Sequence, residues 1–193
     1  LKAKLAPNRH YRIVAKSLPS IDLIGEGGGM YAHVLDLQIR DSSFVENKAD
    51  ISGGGLMLSG TVEQPSDVFN CLFAENTAAR DGAGASVNWM TQAKFGNCTF
   101  ADNTALGLFV EVETGEFEQL IDEGTGEPVE DEQGNPIWVP VTTLVLSSPG
   151  LGGGLFIGYD SVADVKDSIF WDNQANTGES IYLGVNSVFE PRP

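Results

Sequence analysis

The sequence predicts an all-β protein, a parallel β-helix (solenoid) of about five coils with an inserted acidic β-hairpin or meander. Three observations lead to this fold class: a repeat of 27 to 29 residues, a glycine excess placed within that repeat, and one acidic segment that interrupts it. A unit this short cannot bury its own apolar side, so its copies must stack on one another.

The first element of the repeat is an aromatic and amide pattern. Four segments share an apolar residue, then Asp or Asn, Ser or Cys, any residue, Phe, two residues, Asn, any residue and Ala. Its phenylalanines and asparagines are Phe44, Phe73, Phe100 and Phe170 and Asn47, Asn76, Asn103 and Asn173. The phenylalanines are spaced by 29, 27 and 70 residues. The last interval is therefore one repeat plus an insertion of about 43 residues.

The second element is a glycine-led run into alternating apolar residues. Copies begin at Gly27, Gly53, Gly82, Gly152 and Gly178. Glycine makes up 23 of 193 residues, about 12%, against a usual level near 7%. An apolar spacing of two and glycine triplets disfavour helices. We therefore expect three strands per coil: one ending near Ile39 and its equivalents, one carrying Ser-x-Phe, and one after the glycines.

Alternation along the strands predicts which residues face the coil interior. The four phenylalanines should stack inward as a ladder, beside a column of small residues made of Ser42, Cys71, Cys98 and Ser168. The four asparagines fall at a turn, where Asn tolerates the left-handed conformation and its amide can bond to the Asn of the next coil. These positions are interpreted as architecture. Cys71 and Cys98 could form a disulfide across adjacent coils, or remain inward free thiols.

Phe-x-x-Asn together with Gly-Gly-x-aliphatic resembles the repeat of the polymorphic outer membrane protein family, whose signatures are FxxN and GGA[ILV]. The match covers about residues 27–105 and 151–185, and the second signature is degenerate, with Gly55 and Gly154 in place of Ala. The resemblance implies a right-handed, single-stranded β-helix in a secreted or surface-exposed bacterial protein, often an adhesin. The chain stops where another coil could begin, which leaves open a larger precursor.

Charge is distributed unevenly over one expected domain of residues 1–193. Its parts are a basic N-terminal strand or cap segment (1–24), coils (25–105), an acidic β insertion (106–150) and final coils (151–193). The insertion contributes -10 of the formal net charge of -16, whereas residues 1–25 sum to +4. This charge argues against nucleic acid and anionic membrane surfaces as partners. No apolar run reaches the roughly 18 to 20 residues of a transmembrane segment.

The insertion supplies the candidate metal ligands. Hard oxygen donors for Ca²⁺ are offered by Asp122, Glu123, Glu130, Asp131 and Glu132. Their spacing matches no EF-hand or nonapeptide repeat, and a solvated acidic surface is the alternative interpretation. No other cofactor is expected.

An outward stripe is the candidate interaction surface. It consists of Tyr31, Met57, Phe156, Tyr182 and Trp171. Either the insertion folds back over it, or it serves as a partner surface or a sugar-stacking platform.

No catalytic residues are expected, because acids such as Asp41, Asp167 and Asp172 are isolated and no Asp pair lies among the coils. The leading hypothesis is a non-catalytic extracellular or cell-surface module acting in adhesion or structural assembly, self-associating end to end into a filament or binding another envelope protein. The alternative is a polysaccharide-binding or polysaccharide-cleaving protein that uses outward aromatics.

Overall fold

The computed structural model describes residues 14–15, 25–33, 37–60 and 65–192. Among these residues there are strands, turns and bends but no helix, and the strands form four parallel stacks and one two-stranded sheet. The fold is therefore the all-β parallel solenoid that the repeat predicts. The chain visits the stacks in a constant order, and we number the stacks in that order and the strands along the chain.

The first and second stacks each contain five strands. The first contains β3 (Gln38–Arg40), β7 (Ser66–Phe69), β11 (Gln92–Gly96), β17 (Val162–Lys166) and β21 (Val188–Arg192). The second contains β1 (Val14–Ala15), β4 (Ser43–Val45), β8 (Leu72–Ala74), β12 (Thr99–Ala101) and β18 (Ile169–Trp171). In the second stack the register sets the repeat phenylalanines directly opposite one another.

The third and fourth stacks complete each turn of the chain. The third contains β5 (Lys48–Ala49), β9 (Thr77–Ala78), β13 (Thr104–Ala105) and β19 (Gln174–Ala175). The fourth contains β2 (Met30–His33), β6 (Leu56–Ser59), β10 (Ala85–Asn88), β16 (Leu155–Ile157) and β20 (Ile181–Leu183). The repeat predicts three strands per coil, but the coils also contain the two-residue strands of the third stack. Ala49, Ala78 and Ala105 are buried, but these strands are too short to show the alternation that identifies a strand.

The turn residues also differ from expectation. The asparagines of the ladder are not in the left-handed region; the residue before each one is, as at Glu46, where φ is 55°, and Asp102, also 55°. A second left-handed corner precedes the second stack, at Asp41, Asn70, Asn97 and Asp167. The chain therefore turns sharply just before each asparagine, which leaves the Asn amide free to point into the coil.

The glycine triplets have two separate structural causes. The first glycine takes positive φ, for example 72° at Gly53. At the third position a side chain is excluded by contact between coils, because a Cβ on Gly84 would lie 2.5 Å from the carbonyl oxygen of Gly154. Turn geometry and close coil stacking both require the residue without a side chain.

The interior of the coils holds an apolar cluster that is fully buried in the central coils. Its largest members include Phe44, Phe73, Phe95 and Phe100, with Leu56, Leu58, Leu155 and Ile157 from the fourth stack.

The insertion is built around β14 (Leu108–Gln119) and β15 (Trp138–Ser148), which form a two-stranded sheet. By internal contacts the chain divides into two compact units, residues 1–108 with 148–193, and residues 109–147.

Candidate functional site

The conspicuous polar residues of the repeat form an internal ladder. Asn47, Asn76, Asn103 and Asn173 are all buried and lie one above another. The amide nitrogen of Asn76 donates to the Phe44 carbonyl oxygen and to Asn103 Oδ1, both at 2.9 Å. Asn76 Oδ1 accepts hydrogen bonds from the backbone nitrogen and Nδ2 of Asn47, both at 3.0 Å. These amides join coil to coil, and hydrogen bonds within the ladder use the groups that a ligand would otherwise bind.

The repeat phenylalanines form the matching apolar ladder. Ring centroids are 4.9 Å apart for Phe44 and Phe73, and 4.7 Å apart for both Phe73 with Phe100 and Phe100 with Phe170. The rings are within 7° of parallel. Like the asparagines, these residues hold coils in register.

The column of small inward residues contains the two thiols. Cys71 and Cys98 are free and buried, so the structure holds them as inward thiols. A hydrogen bond with the Cys71 thiol, together with burial, raises the pKa of the Cys98 thiol. A buried thiol that stays protonated is a poor nucleophile, so Cys98 acts here as a packing residue.

The structure corrects the predicted interaction stripe at two of its five residues. Met57 and Phe156 are 0% and 4% exposed, so neither side chain is available to a partner. Tyr31 and Trp171 are exposed, and Tyr182 is half-buried with its ring stacked 5.7 Å from that of Phe156. Alternation identifies the side of the strand on which a residue lies, but the fourth stack is buried on both sides at β6, β10 and β16.

An exposed aromatic pair that the sequence pattern did not predict lies on the corner after the fourth stack. Trp89 and Tyr159 are 52% and 51% exposed, and their rings stack 5.0 Å apart at an interplanar angle of 7°. Both have left-handed backbones, with φ of 59° and 46°, which is unusual for bulky side chains and costs free energy. The corner is held by hydrogen bonds, including Met90 N to the Tyr159 carbonyl at 2.9 Å.

A sequence signal for this pair did exist. Trp89 follows directly after β10, and Tyr159 comes two residues after the end of β16. Aligning the repeats through these two strands places both aromatics in one column.

Several charged residues of the coils have local partners. Asp41 accepts a hydrogen bond from the Asn70 amide, and the Arg40 guanidinium lies 5.6 Å from the Phe69 ring centroid. Asp81 is buried, accepts from Arg80 Nε at 2.7 Å, and has its pKa raised by burial, partly offset by Arg80. Within the described ranges no three His, Cys, Asp or Glu side chains are grouped to hold a metal ion.

Two of the five Ca²⁺ candidates of the insertion, Asp122 and Asp131, close their own turns. Asp122 Oδ1 accepts from the backbone nitrogens of Gly124 and Thr125 at 3.0 and 2.8 Å. Asp131 Oδ1 accepts from Gln133 and Asn135, both at 2.9 Å. Hydrogen bonds from Thr125 and Asn135 lower the pKa of Asp122 and Asp131, respectively. No three of the five candidates, which also include Glu123, Glu130 and Glu132, are grouped to hold a metal ion in the described structure, and Ca²⁺ binding stays a prediction.

Comparison with known proteins adds no relative: no family model, curated protein or solved structure matches this chain. In the part of the chain that the structure describes, there is no helix long and apolar enough to cross a membrane.

Proposed function

We propose that the protein is a non-catalytic extracellular or cell-surface solenoid module that acts in adhesion or structural assembly and associates end to end with further copies or with another envelope protein. The buried asparagines hydrogen-bond between coils, so binding to a partner would use the exposed edges of the outermost strands.

The observation that carries this proposal is the open face of the last described coil. Phe170 is only half-buried, whereas Phe44, Phe73 and Phe100 are fully buried, because β18 is the outermost described strand of the second stack. The outermost described strands of the third and fourth stacks at this end are β19 and β20. Such edges present unpaired backbone groups and a partly covered aromatic ladder, which a further coil would continue. A contact between unlike ends does not close and therefore propagates.

Two sequence features support the location and the partner class. The repeat resembles the polymorphic outer membrane protein family, which favours an extracellular or surface protein. The opposite charges of residues 1–25 and 106–150 favour contact between copies.

The test blocks the open edge without touching the core. Ile169 and Trp171 are exposed on β18, so I169K/W171K should fold normally while its lysines oppose a further strand. Thr99→Lys, on the same side of the neighbouring strand β12, is the matched control. We expect the wild type and T99K to grow in size with concentration in sedimentation velocity, and I169K/W171K to remain small. Equal association of all three would contradict end-to-end stacking, as would a monomeric wild type.

A second candidate function, polysaccharide binding, is favoured by one observation. Trp89 and Tyr159 present two half-exposed aromatic rings on a strained corner, and strain of this kind is concentrated at functional sites. Aromatic faces of this type bind sugar rings.

This alternative is tested with a glycan array together with reducing-end and unsaturated-product assays. Binding that disappears in W89A/Y159A but survives in W171A would support it, and product formation would point to cleavage. Silence in all assays would remove this function.

A further inference from the structure

The hairpin β14–β15 has one largely apolar face and one face that combines the glutamates of β14 with valines of β15. Gly115 has a φ of 83° within β14, and β14 is one residue longer than β15, which together indicate a β-bulge. A bulge shifts alternation by one residue. It therefore places the four glutamates of β14 on one face: Glu111, Glu113, Glu116 and Glu118. Val110, Val112 and Phe117 lie on the other.

The apolar face continues across the second strand. Leu120 N donates to the Ile137 carbonyl oxygen at 2.8 Å, so counting back along both strands sets Phe117 opposite Pro140. Trp138, Leu144 and Leu146 share that face by alternation. Phe117, Trp138 and Leu144 are 64%, 58% and 65% exposed.

This face is large for an uncovered surface. With side chains of about 150 to 250 Å² each, its exposed apolar area is roughly 600 Å². That equals the upper end of the largest patch on an ordinary monomer, and approaches the share that one partner buries in a stable interface. A lone two-stranded sheet is also marginally stable in water, so an additional strand would stabilise it.

Charge decides what can add to this sheet. Residues 106–150 contain ten acidic residues and no Lys or Arg. Pairing the edge of β14 with the β14 of another copy would bring glutamates opposite glutamates, which is unfavourable. The suitable occupant is an extended segment that carries cations and apolar side chains together.

The chain itself contains such a segment. Residues 1–13 carry Lys2, Lys4, Arg9 and Arg12, no acidic residue, and apolar residues between the cations, and they directly precede β1.

We propose that residues 1–13 of a second copy add as a strand to the outer edge of β14, which among the described strands pairs only with β15, so that Lys2, Lys4 and Arg12 lie on the side of its glutamates. This proposal rests on the self-association proposed above and names a site for it that is distinct from β18. The contact joins unlike parts of two copies, so it also propagates.

The test uses a labelled peptide of residues 1–16 and the full-length chain carrying K2E/K4E/R9E/R12E. These substitutions reverse the charge of the chain's own N-terminal segment, so that this segment cannot compete with the peptide. We expect the peptide to bind this chain in fluorescence anisotropy at low salt, at least about tenfold more tightly than a scrambled peptide of equal composition. Reversal of the hairpin with E111K/E113K/E116K/E118K should abolish binding. The neutral set with Gln at the same positions should weaken binding, and F117S/L144S should weaken it as well. E46K/E75K, on the exposed corner of the coils, is the matched control and should bind normally.

Hydrogen exchange locates the contact. Bound peptide should slow exchange in β14, residues 108–119. Absence of binding, equal binding of the scrambled peptide, insensitivity to hairpin reversal, or protection in the coils alone would each overturn the proposal. These results do not depend on the β18 test. If the chain assembles through β18 but does not bind the peptide, only the contact at the hairpin is refuted.

Discussion

Truncating one rung of the asparagine ladder is the sharpest test of what holds the coils together. Asn76→Ala removes four hydrogen bonds: two donated by Nδ2, to Phe44 O and Asn103 Oδ1, and two accepted by Oδ1 from Asn47. The side chain is 0% exposed, so water cannot replace these partners without opening the coil.

The expected loss follows from the number of bonds. A net value of about 1 kcal/mol for each hydrogen bond gives about 4 kcal/mol, and the buried Phe44 carbonyl also loses its donor from Asn76, which adds to the cost. Because domains of this kind have total stabilities of only about 5 to 15 kcal/mol, one amide would account for a large part of the free energy of unfolding.

Equilibrium urea unfolding followed by far-ultraviolet circular dichroism measures the loss. Asn97→Gly is the matched control, because Asn97 Nδ2 also donates a hydrogen bond to an adjacent coil, at 3.0 Å from Asn70 Oδ1. This bond lies on an exposed corner, where the φ of 51° at Asn97 is one that Gly adopts readily. We expect the control to cost less than about 1 kcal/mol. If N76A lost no more than N97G, the ladder would not be the source of stability that its geometry indicates.

Three further outcomes follow from the packing of the coils. Gly84→Ala should destabilise by about 1 to 3 kcal/mol in urea, because its Cβ would meet Gly154 O at 2.5 Å; an unchanged midpoint would contradict rigid coil spacing. Burial raises the pKa of Asp81 above its ordinary 3.8, so the stability of the wild type relative to D81N should fall as pH rises from about 3.8 through the folded-state pKa. A difference in melting temperature between the two proteins that stays constant over this pH range would contradict the raised pKa. Cys98→Ser should change the free energy of unfolding by less than about 1 kcal/mol. The reason is that Ser168 occupies the equivalent position and donates to a backbone carbonyl oxygen at 2.9 Å, as the Cys98 thiol does at 3.3 Å. A larger loss in urea would show that the thiol packs better than a hydroxyl at this position.

The coil interior was largely predictable because its determinants are periodic. Phe73 and Asn76 recur with fixed spacing, and an inward position follows from a period of two. The third stack was not predictable in the same way, because a buried Ala78 beside one threonine makes no detectable pattern. The left-handed residue was assigned to Asn on general preference, whereas the structure places Glu46 and its equivalents there.

The outer surface was predicted less well, since exposure depends on what covers a strand. Met57 and Phe156 were expected on an exposed stripe and are buried. Trp89 and Tyr159 lie 70 residues apart in sequence, and only coil stacking across the insertion brings their rings to 5.0 Å.

The sequence by itself determined that this chain stacks parallel coils, because a short repeat with inward phenylalanines and close-packed glycines buries its apolar side only against its own copies. It also determined that negative charge is concentrated in one insertion. Only the tertiary structure decided which outward residues remain accessible, where the backbone takes the strained left-handed turns, and which two segments of the insertion pair as strands. These properties arise from contacts between residues far apart in the chain, which periodicity along the sequence does not record.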